Sequence, residues 1–411
     1  MDRSETGFPA LAVPQPAVSE IAEQSWDVVV VGGGPAGATA AAYLARAGYA
    51  VLVLDRQAFP REKVCGDGLI ADTIAALDRL GALDAVRQRA YRATVTSIYS
   101  PSRIRVDLPG EFLTIKRLEL DALLALHALE NGAALARGRV ASIHPSEDSV
   151  RVIVDDGARA IQSHFVVLAT GADLTLSSRL RSVPENAPSA IALRCYVRSP
   201  ERIDRLLISY DRSILPGYAW IFPLRDGEYN IGCGVFLDRR DRGTHNLRTI
   251  FDRFVDTFPE ARAILGRASA RTAPRGARLR CGLTYAAGVA HPRVLAIGES
   301  LSATFPFTGE GIGKAMATGE MAAEAIDHAL RRQDAHAIAS FGDRVRRTLG
   351  PRYIGYRVAE RWLSRPWLND LVARRTQRSR FLQEAAAGIL NETIDPRVLF
   401  SLKGLARSFL W

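Results

Sequence analysis

Residues 26–55, WDVVVVGGGPAGATAAAYLARAGYAVLVLD, leave the chain few choices of fold. The run 27–31 is short, apolar and β-branched, as expected of a strand buried on both faces of a parallel sheet. Gly32, Gly34 and Gly37 follow in the spacing G-x-G-x-x-G. The first permits a tight turn, the second lets backbone approach a diphosphate, and the third lets a helix pack closely on the strand. Small residues then predict a helix over 36–47, stopped by Gly48. Its amino end, with Pro35 and Ala36, turns free N–H groups and a partial positive charge toward the phosphates. A second apolar strand, 50–54, delivers Asp55, where a carboxylate accepts hydrogen bonds from an adenosine ribose. Strand, glycines, helix, strand and acid in this order predict a dinucleotide-binding unit, without distinguishing NAD from FAD.

At 411 residues and 47% hydrophobic content, the chain is long enough for two or three domains around a substantial core, and it is not a disordered protein. Cys65, Cys195, Cys233 and Cys281 are scattered and form no C-x-x-C pair, which argues against a zinc site and a disulfide framework. Residues 1–25 hold Pro9, Pro14 and Pro16 and lack both a basic start and an apolar core, so they read as a disordered leader and not a signal peptide. No uncharged apolar run of about eighteen residues occurs, so no transmembrane helix is predicted and a cytoplasmic protein is expected.

Directly after Asp55, the segment RQAFPREKVCGDGL sets Arg56, Arg61 and Lys63 ahead of Cys65, Gly66, Asp67 and Gly68. Gly and charge between a strand and the helix expected over 71–80 indicate a loop wrapped round the cofactor, which makes Arg56, Cys65 and Gly66 cofactor contacts. From GGGPAGATAA through LDR to KVCGDGL, the sequence resembles the geranylgeranyl reductase family of flavoproteins, which belongs to the p-hydroxybenzoate hydroxylase structural class. That resemblance implies FAD. Residues 93–115 then alternate apolar and polar, as strands of a second domain. Beyond them Leu120, Leu123, Leu124 and Ala128 are spaced as one face of a helix that closes at Gly132. Asp121, four residues after Arg117, is placed to orient it, and in the resembled class an arginine here reaches the FAD. A hairpin is expected over 140–154, and the buried strand 165–169 ends in ATGA, a junction that passes close to the dinucleotide.

Between 189 and 283 the chain is rich in strands. Tyr218, Trp220 and Phe222 alternate along one of them, so all three point to one face and form an apolar wall for substrate. The pattern Tyr-x-Trp-x-Phe-Pro followed by Gly232-x-Gly234 resembles the second motif of the same family. Flavin-dependent halogenases carry Trp-x-Trp-x-Ile-Pro here, from which Tyr218 and Phe222 depart. The strand over 294–297 ends at Gly298 and Glu299, where the resembled class has Gly-Asp and the aspartate holds the ribityl chain of FAD. FPFTGEGIGKAMATG resembles the family's Pro-x-x-Gly-Glu-Gly-Ile segment, which places Gly309, Gly311 and Ile312, at the start of a helix over 312–330, beside the pyrimidine edge of the flavin. From Arg332 onward the chain is helical in character and strongly basic, with interleaved Tyr353, Tyr356, Trp362 and Trp367. Two readings stay open for it: a surface resting on anionic lipid, and a helical cap over the pocket. No recognition motif for nucleic acid accompanies the charge.

The expected fold is therefore α/β: a Rossmann-like FAD-binding domain of the p-hydroxybenzoate hydroxylase type, assembled from 26–95, 116–188 and 289–331. An antiparallel β-sheet substrate domain (96–115 and 189–288) is inserted in it, and a helical region (332–411) follows. The resemblance implies an enzyme that reduces carbon–carbon double bonds of a polyprenyl substrate, a geranylgeranyl group or an isoprenoid quinone tail, by hydride transfer from reduced FAD. NAD(P)H, a donor protein or another external donor would supply electrons. Cys65, Asp67 and Tyr218 are candidate proton donors with none preferred. The alternatives are a flavin monooxygenase or halogenase acting on an aromatic or carrier-bound substrate, and a non-catalytic electron carrier.

Overall fold

A computed structural model describes residues 11–21, 23–157, 159–181, 188–237, 245–283, 289–401 and 403–404. The chain opens with β1 (Trp26–Val31), α1 (Pro35–Arg46), β2 (Val51–Asp55) and the short β3 (Gly68–Leu69), then α2 (Ala71–Leu80) and α3 (Leu83–Arg89). β4 (Tyr91–Tyr99) and β5 (Arg105–Thr114) precede α4 (Arg117–Glu130). β6 (Ala134–Arg137), β7 (Val140–Pro145), β8 (Val150–Val154) and β9 (Arg159–Leu168) follow, then α5 (Thr175–Arg181). The next block holds β10 (Ala190–Arg198), β11 (Leu206–Ser209), β12 (Gly217–Pro223), β13 (Glu228–Phe236), α6 (Leu247–Thr257), α7 (Pro259–Gly266), β14 (Ala270–Arg271) and β15 (Arg275–Leu279). After β16 (Val289–His291) and β17 (Val294–Ala296), the chain ends in α8 (Ile312–Arg332), α9 (Phe341–Leu363), α10 (Pro366–Arg378) and α11 (Arg380–Leu390).

These elements form two sheets. In the first, β1 lies between β2 and β9, parallel to both, and β6 and β17 extend the parallel set on either side. Helices cover it, so Val28, Val29 and Val30 have no exposed surface, which is why this strand is a continuous β-branched run. The alanines of α1 bring α8 to backbone contact: a Cβ on Gly319 would lie 2.5 Å from the Ala36 carbonyl oxygen. The second sheet runs β14-β10-β13-β12-β11-β4-β5-β3, with β15 also on β10. Phe251, Phe254 and Ile264 of α6 and α7 fill its outer face, and Ile98, Ile208, Tyr218 and Trp220 on the other face line a cavity.

Two expectations need correction. Residues 1–10 of the expected leader, and Ala22, lie outside the described residues, but 11–21 are packed: Val18 is buried, Pro16 O accepts from Arg137 N, and Gln15 Oε1 accepts from Phe59 N at 2.9 Å. The leader's composition is that of a coil, yet the open edge beside β6 supplies donors that its carbonyls satisfy. β4 begins at Tyr91 and pairs with β5 from that residue on, so the second sheet starts before the expected boundary at 96, and Gly68–Leu69 also joins it. Short strands in glycine-rich loops carry no hydrophobic period, which hides them from the sequence.

The C-terminal helices are docked on the second sheet. Asp370 accepts from Ser100 Oγ at 2.6 Å, Ser102 N at 2.9 Å and Ser102 Oγ at 2.7 Å, and Asn391 Nδ2 donates to Pro109 O. Ala373 packs against Val106 and Leu108 of β5. Among the described residues, no helix is long and apolar enough to cross a membrane.

Candidate active site

A cavity of about 720 Å³ runs between the two sheets, and two helix starts converge on it. α1 begins at Gly34 and α8 at Gly311, each without a side-chain cap, so both present unpaired N–H groups and a positive dipole end. Gly32 is at φ +106°, and a Cβ there would lie 2.4 Å from Ala169 O, where β1 and β9 end side by side. A Cβ on Gly37 would lie 1.9 Å from Gly32 O, so only glycine lets α1 sit so close behind the turn. In front of Gly34 the space is bounded by two guanidiniums: a Cβ there would be 3.7 Å from Arg61 Nη2 and 3.9 Å from Arg117 Nη2.

Both guanidiniums are held by buried acids. Arg117 Nε and Nη2 donate to the Asp121 carboxylate at 2.6 and 2.9 Å, and Arg61 Nη1 donates to Asp121 at 3.0 Å. Burial opposes the Arg117 charge, but Asp121, itself fully buried, outweighs it and raises the pKa. Arg61 Nε also donates to Asp55 Oδ2 at 3.2 Å, and the same oxygen accepts from Gly33 N at 2.9 Å. Two cations balanced by two carboxylates at an uncapped helix start leave room for added negative charge. Such a cradle fits the diphosphate of a dinucleotide.

The loop with Cys65 is tied to the second sheet through Asp67. Its Oδ2 accepts from Tyr196 Oη at 2.7 Å and Asn230 Nδ2 at 2.8 Å, and its Oδ1 from Arg117 N at 3.2 Å. Asn230 Nδ2 also donates to Cys65 O at 2.8 Å, and Asn230 Oδ1 accepts from Trp220 Nε1 at 2.9 Å. Asp67 has no exposed surface, and burial raises its carboxyl to about 6 against those hydrogen bonds. Burial also raises the Cys65 thiol.

Tyr218, Trp220 and Phe222 all face the cavity. In the β12–β13 register Tyr218 sits opposite Gly234 and Trp220 opposite Gly232. A Cβ on Gly232 would lie 2.3 Å from Trp220 Cζ2, so the Gly-x-Gly of β13 is what lets the indole lie flat across that strand. Tyr218 Oη donates to Thr308 O, joining the wall to the α8 loop. Past the wall the cavity becomes an apolar arm, with Ile98, Val106 and Ile208 of the second sheet on one side and Ala359, Val372 and Ala373 of the C-terminal helices on the other.

The expected site residues are distributed as follows. Gly32, Gly34, Pro35, Ala36, Asp55, Arg56, Cys65, Gly66, Asp67, Arg117, Glu299, Gly309, Gly311 and Ile312 line this one cavity with the aromatic wall. Gly37 and Gly298 sit behind its surface; a Cβ on Gly298 would be 2.9 Å from Ala36 Cβ, so it serves the α1–α8 packing. Arg56 is largely exposed and pairs with Asp173, which also lines the cavity, at 3.2 Å, and Arg61 takes the place near the helix start. Glu299 Oε1 accepts from Arg280 N at 3.1 Å, and Oε2 lies 3.8 Å from Lys63 Nζ. Tyr196 and Asn230 went unread in the sequence, while Arg61 and Glu310 stood within its motifs without an assigned role. Arg61 sits among several loop cations, and Tyr196 and Asn230 reach the site only through pairing of distant strands. Glu310, inside the glycine-rich segment, carried a signal of its own: an acid between two glycines at a cavity-lining helix start.

Residues 25–186 match the FAD binding domain family, so the dinucleotide is FAD. The chain is 34% identical over 327 residues to menaquinone reductase of Mycobacterium tuberculosis, covering 74% of this chain and 77% of that protein. It is 30% identical over 330 residues to digeranylgeranylglycerophospholipid reductase 1 of Methanopyrus kandleri, covering 76% and 83%. The geranylgeranyl bacteriochlorophyll reductase-like structure from Thermoplasma acidophilum superposes with a TM-score of 0.74 at 20% identity, over 94% of this chain and 96% of that one. A flavin-dependent brominase gives the same TM-score at 18% identity. At these identities the two structures show the fold alone.

Proposed function

We propose that this chain, which belongs to the geranylgeranyl reductase family of FAD-dependent oxidoreductases, reduces carbon–carbon double bonds along a polyprenyl chain. FAD supplies the hydride when bound and reduced. The observation that carries the reading is the apolar arm: a passage leading off an aromatic wall, lined mainly by aliphatic side chains with Thr96, Ser100, Asn369 and Thr376 among them, suited to an extended hydrocarbon. The relatives' named substrates, menaquinone and a digeranylgeranylglycerophospholipid, differ in head group and share an isoprenoid chain. Arg61, Arg117 and the starts of α1 and α8 would hold the cofactor. Tyr218, Trp220 and Phe222 would flatten the substrate chain against it and exclude water. Electrons would come from NAD(P)H or another external donor.

Of the sequence-derived proton donors, Asp67 has both oxygens engaged by donors and Tyr218 gives its proton to Thr308 O. Cys65 alone keeps an uncommitted one. A peripheral contact with anionic membrane would suit a lipid substrate, and the exposed Trp367 and Ile354 on the arginine-rich tail favour it. Sedimentation with anionic but not neutral vesicles is the expected result.

The reading is tested by incubating the reduced protein without oxygen with menaquinone or a geranylgeranylated glycerophospholipid, and weighing the product. A gain of two hydrogens per double bond, located in the chain by fragmentation, is expected. Products that carry oxygen or halogen and form only in air would assign the chain to monooxygenase or halogenase chemistry.

A further inference from the structure

Glu310 stands between Gly309 and Gly311, and lines the cavity near Tyr218, at the end where Tyr356 and Ala359 of α9 open the apolar arm. The cations nearest to it are already taken. Lys314 Nζ lies 2.8 Å from Asp72 Oδ2 and 3.0 Å from Glu392 Oε2, and Arg352 Nη1 lies 3.3 Å from Glu392 Oε2. Lys314 and Arg352 offset Asp72 and Glu392, which leaves Glu310 no counter-ion. Its Oε2 has no contact with solvent and no hydrogen-bond partner. The other titratable groups facing it are the phenols of Tyr210, Tyr218 and Tyr356, all shifted upward by burial. Burial, then the charges of Glu392 and Asp72, raise the Glu310 carboxyl well above the ordinary glutamate range. The neutral form of the acid is thereby favoured, and the Thr308 hydroxyl beside it is itself buried without a hydrogen-bond partner. A carboxylic acid is also a better donor to an isolated alkene than the Cys65 thiol, whose ordinary value of 9.0 burial raises further.

We propose that Glu310 is a general acid of the reduction, its carboxyl proton passing to one carbon of the prenyl double bond as hydride reaches the other. The proposal rests on the polyprenyl reading above. The π pair forms a C–H bond with the proton and the hydride forms the second. The alkene becomes an alkane, the reduced cofactor loses two electrons, and the Glu310 carboxylate regains its proton from water before the next turnover.

The test compares wild-type, E310Q and E310D holoenzyme. Without substrate, infrared spectra at neutral pH should show a protonated-carboxyl band in the wild type that is absent from E310Q; the same band in both would overturn the proposal. In the reduced proteins, reoxidation by menaquinone or by a geranylgeranylated glycerophospholipid should slow about 100-fold in E310Q and recover in part in E310D. Reoxidation by ferricyanide should be equal in all three, showing that the cofactor is bound and reducible. Wild-type rates in E310Q would overturn the acid role alone. A wild type inert to both prenyl substrates would overturn the polyprenyl reading, and the acid role with it.

Discussion

At the scale of single residues, Asp67 does more than its place in a glycine-rich loop suggests. Its carboxylate gathers Tyr196, Asn230 and the Arg117 backbone, and so fixes the loop that carries Cys65 against the aromatic wall. Because its folded pKa, about 6, lies above the ordinary 3.8, the folded state binds this proton more tightly than the unfolded one. The stability it contributes is complete below about pH 4 and is lost as pH rises through about 6. Asp67→Asn removes that titration, so melting of the two proteins across this window should show the wild type losing ground to the variant by a few kcal/mol as pH rises. A constant gap would mean that the carboxyl is not perturbed. The residue's importance was half legible. KVCGDGL marked the loop, but Tyr196 and Asn230 come from strands more than a hundred residues away. No local pattern announces such partners.

At the scale of elements, the parts that the sequence disclosed are those in which one segment contains its own reason. The βαβ unit, its three glycines and Asp55 all lie within 26–55, so turn, helix start and strand end could be read together. The Tyr-x-Trp-x-Phe-Pro and Gly-x-Gly motifs are also paired locally, and their register explains why they occur together: Gly232 makes room for Trp220 across the ladder. Gly232→Ala would place a methyl 2.3 Å from the indole and 2.5 Å from Leu193 O. A loss of about 1–3 kcal/mol is expected from overpacking, with the indole displaced toward the cavity. Thermal melting should fall and prenyl turnover with it, while bound FAD persists; an unchanged melting temperature would show that the strand yields. Arg61 was not legible in this way, because the choice between it and Arg56 depends on how the loop folds back onto Asp55 and Asp121.

At the scale of the whole molecule, the cavity belongs to no single element. The first sheet supplies the cofactor cradle, the second the aromatic wall, and the C-terminal helices the far side of the apolar arm. The tail's composition left open both a lipid-facing surface and a cap over the pocket, and its buried face, Ala373 on Val106 and Leu108, lines the passage. If the arm holds the substrate chain, Ala373→Trp should lower kcat/KM for long polyprenyl substrates about tenfold or more and spare short ones, with FAD content unchanged. An equal loss at every chain length would place the substrate elsewhere. The central claim is tested most directly by rapid mixing of the reduced protein, without oxygen, with menaquinone or a geranylgeranylated glycerophospholipid while flavin absorbance is followed. The account predicts reoxidation within a single turnover, matched by one saturated double bond per flavin. Flavin that stays reduced with both, yet is oxidised at once on admitting air and forms an oxygenated or halogenated product, would contradict it.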